Sequence, residues 1–426
     1  MSPTVLPNVR RAAAPRVKER LHGLEWLRAV AALLVVLLHA GIPYLTHPMP
    51  GLVWSTDSVE TSGLVDVSCW TIDGFIMPLF FLMTGFFAAR LYKQRGANGF
   101  LKHRVARIGG PLLLGMVLIL PLDLYAWLLG WVGDGRVPFA KLRSLKVEGE
   151  LGTALWGLSH LWFLAYVLTY CAIAWGIHHL FARSDRLTVA VLKIPRRVRI
   201  PSATGLPALL ASVAIMGAVL WWQPRIVIGF RHGWLPFWEN LVYYAVPFGL
   251  GWAWERQAQS KIVRRPVGRT EWSLRLTAAC AVWLLLWPRL QNHLEHETLP
   301  VADALVPGLF ALFAMLASTS LFALALSMRF ERSYWQVTYI AQASFWIYLL
   351  HHPLVGLTHV SLARTGLSPV AGWLATAGVA TAICLVTYEV WVRRTWIGWV
   401  LNGRRDRAPG SASTVPDALP ERRRAA

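Results

Sequence analysis

Apolar residues in this chain are gathered into runs of about twenty, the length that a helix needs to cross the hydrocarbon of a bilayer. Short polar or charged segments separate the runs. The pattern predicts an all-α, polytopic membrane helix bundle with about ten transmembrane helices. The predicted spans lie at 24–42, 70–90, 109–131, 160–181, 206–223, 238–254, 272–288, 304–327, 336–357 and 370–392.

Composition agrees with this pattern. Of 426 residues, 55% are hydrophobic and 23 are tryptophans, whose indole rings favour the headgroup region of a membrane. The first run is too long for a cleaved signal peptide, and no small-residue cleavage pattern follows it. We therefore expect one integral membrane domain at 21–395, preceded by a basic disordered leader at 1–20 and followed by a basic disordered tail at 396–426.

The formal net charge of +20 would suggest nucleic-acid binding in a soluble protein. Here the distribution of charge favours another explanation. If the N-terminus is inside and ten helices cross the membrane, most of the 42 Lys and Arg residues fall on the inner side. This asymmetry predicts that both termini are cytoplasmic and that the basic residues meet anionic lipid. We expect no nucleic-acid partner.

Arg28 and His39 are eleven residues apart in the first apolar run. Eleven residues are close to three helical turns, so both side chains point to nearly the same side, about 16 Å apart along the axis. Ionisable groups within a span are costly and usually functional, and histidine is the natural general base near neutral pH. The alternative is that Arg28 reaches the membrane surface and His39 only packs. Glu25, three residues before Arg28, is a candidate ion-pair partner.

Two arginines, Arg104 and Arg107, follow the second run at a spacing that places them on one helix face. Two guanidinium groups at the inner surface suit phosphate groups, although flanking arginines also serve as ordinary membrane anchors. Asp73 lies in the second run at a depth similar to that of His39. It is therefore a candidate to orient His39, or else an interfacial aspartate facing water.

Further candidates stand in two aromatic blocks, at 160–164 and 344–353. They contribute His160 and the adjacent pair His351 and His352. Because neighbouring residues on a helix face different directions, we expect at most one of that pair, His351 being the candidate, to share a cavity with His39. The sequence has no Walker-type phosphate loop, dinucleotide fingerprint, serine-hydrolase elbow or zinc-ligand spacing, so no metal is expected.

Taken together, residues 20–395 resemble the acyltransferase-three family of integral membrane acyltransferases. The family's Arg/Lys, ten residues, His signature is matched by Arg28 and His39, and its preceding acidic residue by Glu25. Its Arg-x-x-Arg is matched by Arg104 and Arg107. Its Phe-Phe-x-x-Ser-Gly-Phe segment is matched at 80–86, with Thr84 in place of Ser and Gly85 available for close helix packing. The two aromatic blocks look like the branch that acts on periplasmic glucans.

The resemblance implies O-acylation of an extracytoplasmic carbohydrate by an acyl group, of the acetyl or succinyl class, from cytoplasmic acyl-CoA. It also implies a bacterial inner-membrane location. The CoA phosphates would meet Arg104, Arg107 and Arg28, and His39 would take the hydroxyl proton or carry the acyl group transiently. The acyl group, the acceptor and the oligomeric state stay open. A transporter or flippase for a glycan or an anionic metabolite, and a membrane scaffold or sensor, are the alternatives.

Overall fold

The computed structural model describes residues 22–58, 60–145, 147, 149, 151–152, 156–183, 205–229, 233–258, 268–296, 305–328 and 334–402. The predicted leader at 1–20 and most of the predicted tail, 403–426, lie outside these residues. Within the described part the chain is all-helical, with no strand. Twelve α-helices can be numbered there: α1 His22–Gly41, α2 Gly63–Arg104, α3 Gly110–Gly133, α4 Lys141–Ser144, α5 Trp162–Arg183, α6 Leu206–Trp222, α7 Trp238–Ala258, α8 Arg269–Glu295, α9 Leu305–Ser327, α10 Trp335–Leu362, α11 Pro369–Thr387 and α12 Trp396–Asn402.

A long helix lies at each of the ten predicted runs. Five helical segments are long and apolar enough to cross a membrane: His22–Tyr44, Gly63–Gly133, Ser159–Phe181, Leu305–Ser327 and Pro369–Val392. The segment Gly63–Gly133 contains both α2 and α3. The other long helices are shorter or interrupted by polar residues; α8, for instance, contains Glu271, Arg275 and Arg289. The membrane-helix architecture is thus present, while the count of about ten crossings stays a prediction.

The first helix, α1, packs against α2, α9, α10 and α11. Its small residues allow this: Ala31 and Ala40 are almost completely buried. At its N-terminal end, a Cβ atom added to Gly23 would lie 1.8 Å from the carbonyl oxygen of Ala325 in α9. Side chains on one face of α1 line an interior cavity.

Helix α2 packs most extensively on α7, as the glycine in the second run predicts. A Cβ atom added to Gly85 would lie 2.0 Å from the carbonyl oxygen of Phe248, and one added to Gly251 would lie 2.0 Å from that of Leu82. Close backbone approach through small residues is the usual means by which membrane helices associate. Near its end, α2 is kinked at Gly96, whose φ of 67° favours glycine.

The predicted disordered tail begins too early. Residues 396–402 form α12, where Leu401 is buried and Trp399 contacts the guanidinium group of Arg107. The apolar and aromatic side chains of this segment pack against the rest of the protein, and the composition of the segment alone did not reveal this contact. The expected boundary at 396 is therefore wrong by at least these seven residues.

Candidate active site

A cavity of about 610 Å³ lies between α1, α2, α5, α7 and α10. Two helical stripes form much of its wall. The stripe on α1 includes Arg28, Ala32, Val35 and His39, and the stripe on α2 includes Asp73, Met77, Phe80 and Thr84, among other lining residues of these helices. Both sets have steps of four, three and four residues, the spacing that keeps side chains on one helix face. Arg28 and His39 therefore line the same cavity, as the sequence predicts.

Four histidines meet at one end of the cavity, which we call the histidine end: His39, His160, His351 and His352. The ring centroid of His39 lies 5.0 Å from that of His351 and 5.1 Å from that of His352. The expectation that at most one of the adjacent pair shares the cavity is wrong. The His39 ring sits between the two directions in which their side chains leave α10, so both reach it.

The protonation pattern of His39 follows from its hydrogen bond. The Nδ1 atom lies 2.8 Å from the carbonyl oxygen of Val35. A carbonyl only accepts, so Nδ1 carries the proton and donates it. In the neutral ring this leaves a lone pair on Nε2, which is what a general base requires. No described residue hydrogen bonds to His39 Nε2.

His160 and His351 are held in the same way. His160 Nε2 donates to the carbonyl oxygen of Leu349 at 3.0 Å, and His351 Nδ1 donates to the carbonyl oxygen of Ile347 at 2.9 Å. Their other ring nitrogens, Nδ1 of His160 and Nε2 of His351, are buried without a hydrogen-bond partner. The rings of His160 and His351 are thus fixed by backbone carbonyls beside His39, whose Nε2 is the acceptor nitrogen suited to a hydroxyl donor.

The carboxylate joined to this cluster is Asp123, not Asp73. Asp123 Oδ1 lies 2.6 Å from His352 Nδ1, and both residues are buried. Sequence reasoning missed Asp123, although an aspartate within the run 109–131 was itself a signal. Its partner is 229 positions away, so only the packing of α3 on α10 reveals the pair.

Asp73 lines the cavity but is not hydrogen-bonded to His39, whose Nδ1 is used by Val35. Asp73 lies about one helical turn from the level of His39 along the helix axis. The Sγ atom of Cys69 lies 3.7 Å from the carbonyl oxygen of Leu38, and Asp73 is one turn further along α2. No hydrogen bond or ion pair joins Asp73 to any described residue, so its carboxylate faces the cavity. The orienting contact with His39 is therefore absent, and a catalytic role for Asp73 stays a prediction.

Arg28 is oriented by α10 rather than by Glu25. Its Nη2 atom donates to the carbonyl oxygen of Ala341 at 3.0 Å and to Ser344 Oγ at 2.9 Å. Glu25 Oε2 lies 3.4 Å from His22 Nδ1. Arg28 thus links α1 to α10 with one nitrogen while its side chain still lines the cavity.

Arg104 and Arg107 line the cavity together with His103; these three residues form what we call the arginine end. Arg104 ends α2, and Arg107 lies in a π-helical turn at Val105–Gly109, a geometry often found at functional sites. Arg107 donates to the carbonyl oxygen of Trp399 and lies over its indole ring. Arg104 donates to no described residue, and its Nε atom is buried. A guanidinium group in that condition is suited to bind an anion.

A metal ion at the histidine end is the other possibility. One ligand atom each from Asp123, His160 and His352 lies within 4.8 Å of the others. However, the rings of His160 and His352 are stacked, 4.7 Å apart with an interplanar angle of 17°. Stacked imidazoles do not both direct an in-plane nitrogen at one ion. The arrangement fits a hydrogen-bonded carboxylate–histidine pair better than a metal centre.

Comparison with known proteins gives a consistent result. A family model described as an acyltransferase domain matches residues 21–389. The chain is 24% identical over 395 residues to glucans biosynthesis protein C of Salmonella schwarzengrund, covering 90% of this chain and 95% of that protein. The protein of the same name from Salmonella agona is 24% identical over 390 residues, with the same coverage. No solved structure matches.

Proposed function

We propose a reaction for this chain, which belongs to the acyltransferase-three family and is a membrane acyltransferase: transfer of an acyl group of the acetyl or succinyl class from cytoplasmic acyl-CoA to a hydroxyl of an extracytoplasmic carbohydrate. The observation that carries the proposal is the single cavity lined by both Arg104 and His39. It connects a group suited to phosphate with a group suited to proton transfer.

The arginine end supports acyl-CoA as the donor. CoA carries several phosphate charges, and the guanidinium of Arg104 has no protein acceptor among the described residues. Arg107 is already oriented by Trp399, so little conformational freedom is lost when it binds an anion. The pantetheine arm would run along the stripe that includes Ala32, Val35 and Thr84, which is mostly apolar.

The histidine end supports a hydroxyl acceptor. His39 Nε2 takes the proton as the acceptor oxygen forms a bond to the thioester carbonyl carbon. The tetrahedral intermediate then collapses, the carbon–sulfur bond breaks, and the leaving CoA thiolate receives from His39 the proton that came from the hydroxyl. Asp73, which lines the same cavity, is available to accept a hydrogen bond from another hydroxyl of a sugar. The name of the Salmonella relatives points to a glucan as acceptor.

The membrane placement completes the proposal. With ten crossings and both termini cytoplasmic, the arginine end lies at the inner face and the histidine end toward the outer face of a bacterial inner membrane. The excess of Lys and Arg on that side supports this orientation. The donor then enters from the cytoplasm and the acceptor from outside, so no product needs to cross the bilayer.

The test is the ester-linked acyl content of extracytoplasmic glycans. Cells lacking endogenous activity express the wild-type chain or its H39A variant, with equal amounts shown in the membrane fraction. Mild alkali should release an acid from the wild-type glycans alone, and mass spectrometry then identifies the acyl group. Equal release from both samples contradicts the proposal, and accumulation of an unmodified solute across the membrane would instead favour a transporter.

A further inference from the structure

The buried pair of Asp123 and His352 has no place in the reaction described above. Asp123 Oδ1 accepts a hydrogen bond from His352 Nδ1, and Asp123 Oδ2 accepts one from Ser159 Oγ, each at 2.6 Å. Both carboxylate oxygens are thus acceptors, which indicates an ionised carboxylate. A buried carboxylate is stabilised by hydrogen-bond donors and by a positive partner. His352 Nδ1 is placed to provide such a partner when the ring is an imidazolium.

The position of Asp123 is reinforced by Ser159. This serine has a φ of 46°, in the left-handed region that residues other than glycine rarely adopt. Such backbone conformations are costly and concentrate at functional sites. Here the conformation places the hydroxyl of Ser159 on Asp123 at the start of the block that also contributes His160.

The ring of His352 is fixed on both faces. Trp127 stacks on it at a centroid distance of 4.7 Å and an interplanar angle of 9°, and His160 stacks at 4.7 Å. An indole face stabilises a cation, so Trp127 adds to the effect of Asp123. The ring of His39 lies 5.1 Å from that of His352 at an angle of 79°. His39 and the Asp123–His352 pair therefore flank the same part of the cavity.

We propose that His352, held as an imidazolium by Asp123, is a further catalytic residue that stabilises the negative charge on the thioester carbonyl oxygen. When the acceptor oxygen bonds to the carbonyl carbon and its proton passes to His39, that oxygen becomes an oxyanion beside His352. When the intermediate collapses, the electron pair on this oxygen re-forms the carbonyl double bond, and the carbon–sulfur bond breaks to release the thiolate. Asp123 and Ser159 are positioning residues that act through His352. The inference rests on the proposed function.

The experiment uses the full chain purified in lipid nanodiscs, with acetyl-CoA or succinyl-CoA as donor and de-esterified periplasmic glycan from the host as acceptor. Release of CoA thiol gives kcat and KM. Loss of an oxyanion-stabilising group lowers kcat by about 100- to 1000-fold. We expect that loss in H352Q and in D123N, with KM for acyl-CoA changed by less than about threefold. S159A should lower kcat by about tenfold, since the hydrogen bond between His352 and Asp123 remains.

The matched control is H359Q. His359 is also a buried histidine of α10, hydrogen-bonded to Trp54 and to the carbonyl oxygen of Ala40, but it does not line the cavity. H359Q should keep kcat within about threefold of wild type even where its thermal stability falls. If H352Q does not accumulate in the membrane, the kcat values of D123N and S159A test the inference instead. A purely structural role of these residues would not lower kcat at constant KM.

Three results test this inference, and the first two distinguish it from the proposed function. Turnover that is lost in H39A but kept in H352Q overturns the role of His352 alone. A wild-type chain that releases no CoA from either donor overturns the proposed function, and this inference with it. Wild-type turnover that a chelator abolishes and zinc restores would assign Asp123, His160 and His352 to a metal ion and also overturns the inference.

Discussion

The Nδ1 atom of His39 donates a hydrogen bond to the carbonyl oxygen of Val35, one helical turn earlier, at 2.8 Å. The bond is local to α1, so it forms whatever occupies the cavity. It directs Nε2 away from the helix backbone and keeps its lone pair available. Helix α1 thus fixes the tautomer of His39 that a general base requires, and the same helix places Arg28 three turns away.

Replacement of His39 by glutamine should lower kcat by about 100- to 10,000-fold, the range for loss of a general base. KM for acyl-CoA should change little, because the donor phosphates bind elsewhere. A coupled assay of CoA release measures both constants. The control is H296A. His296 makes the same bond to a carbonyl four residues earlier, that of Asn292 at 2.8 Å, but it is exposed and outside the cavity. Equal losses in H39Q and H296A would refute a base role for His39.

Removal of Arg104 should weaken donor binding rather than slow the chemical step. A hydrogen bond to a charged group contributes about 1.5–3 kcal/mol, so R104A should raise KM for acyl-CoA by about 10- to 100-fold while kcat is retained. Isothermal titration with a non-hydrolysable acyl-CoA thioether tests the binding directly. K102A is the matched control, since Lys102 is exposed and two residues away but does not line the cavity. If K102A weakens binding as much as R104A does, the loss reflects the positive charge of this surface in general and not a specific contact of Arg104.

The helices and the stripe on α1 could be predicted because their information is local. A twenty-residue apolar run specifies a membrane helix, and the spacing of Arg28 and His39 specifies a shared face. The structure places both residues on one cavity, together with Arg104, Arg107 and Thr84. The shared face of Arg28 and His39 depends on periodicity within a single helix.

What the sequence did not reveal depends on contacts between distant segments. Asp123 and His352 meet because α3 packs on α10, and no periodicity within either helix encodes that contact. The same reason explains Asp73, which lines the same cavity as His39 but makes no hydrogen bond with it. Depth follows from the length of a span, whereas the direction of a side chain across a cavity follows from how the helices are rotated.

The contact of α2 with α7 leads to a prediction about stability. In G85A the new Cβ atom would lie 2.0 Å from the carbonyl oxygen of Phe248, so the helices must separate. Overpacking of this kind costs about 1–3 kcal/mol, and the apparent melting temperature in detergent should fall by several degrees. G249A is the control on α7, because a Cβ atom at Gly249 meets nothing within 4 Å. Fluorescence-detected size-exclusion chromatography after heating compares the two, and equal melting temperatures would contradict the close approach.

His47 gives the chain a pH-dependent contact outside the membrane-spanning segments. Its Nδ1 atom lies 2.6 Å from Asp66 Oδ2, and its Nε2 atom lies 3.1 Å from Glu295 Oε1. Burial by itself lowers the pKa of His47, but the hydrogen bonds to Asp66 and Glu295 outweigh it, so the pKa is raised above its ordinary value of 6.5. The folded protein therefore favours protonated His47, which ties the loop after α1 to the ends of α2 and α8.

Because the folded-state pKa of His47 is the higher one, its contribution to stability is fully present below about pH 6.5, the unfolded value. It is lost as the pH rises through the folded-state pKa. The melting temperature of the wild type should thus fall between pH 6 and pH 8.5 more steeply than that of H47Q, whose side chain does not titrate. E295Q, which removes the more exposed partner, should give an intermediate slope. Parallel curves for wild type and H47Q would mean that His47 is not charged in the folded protein.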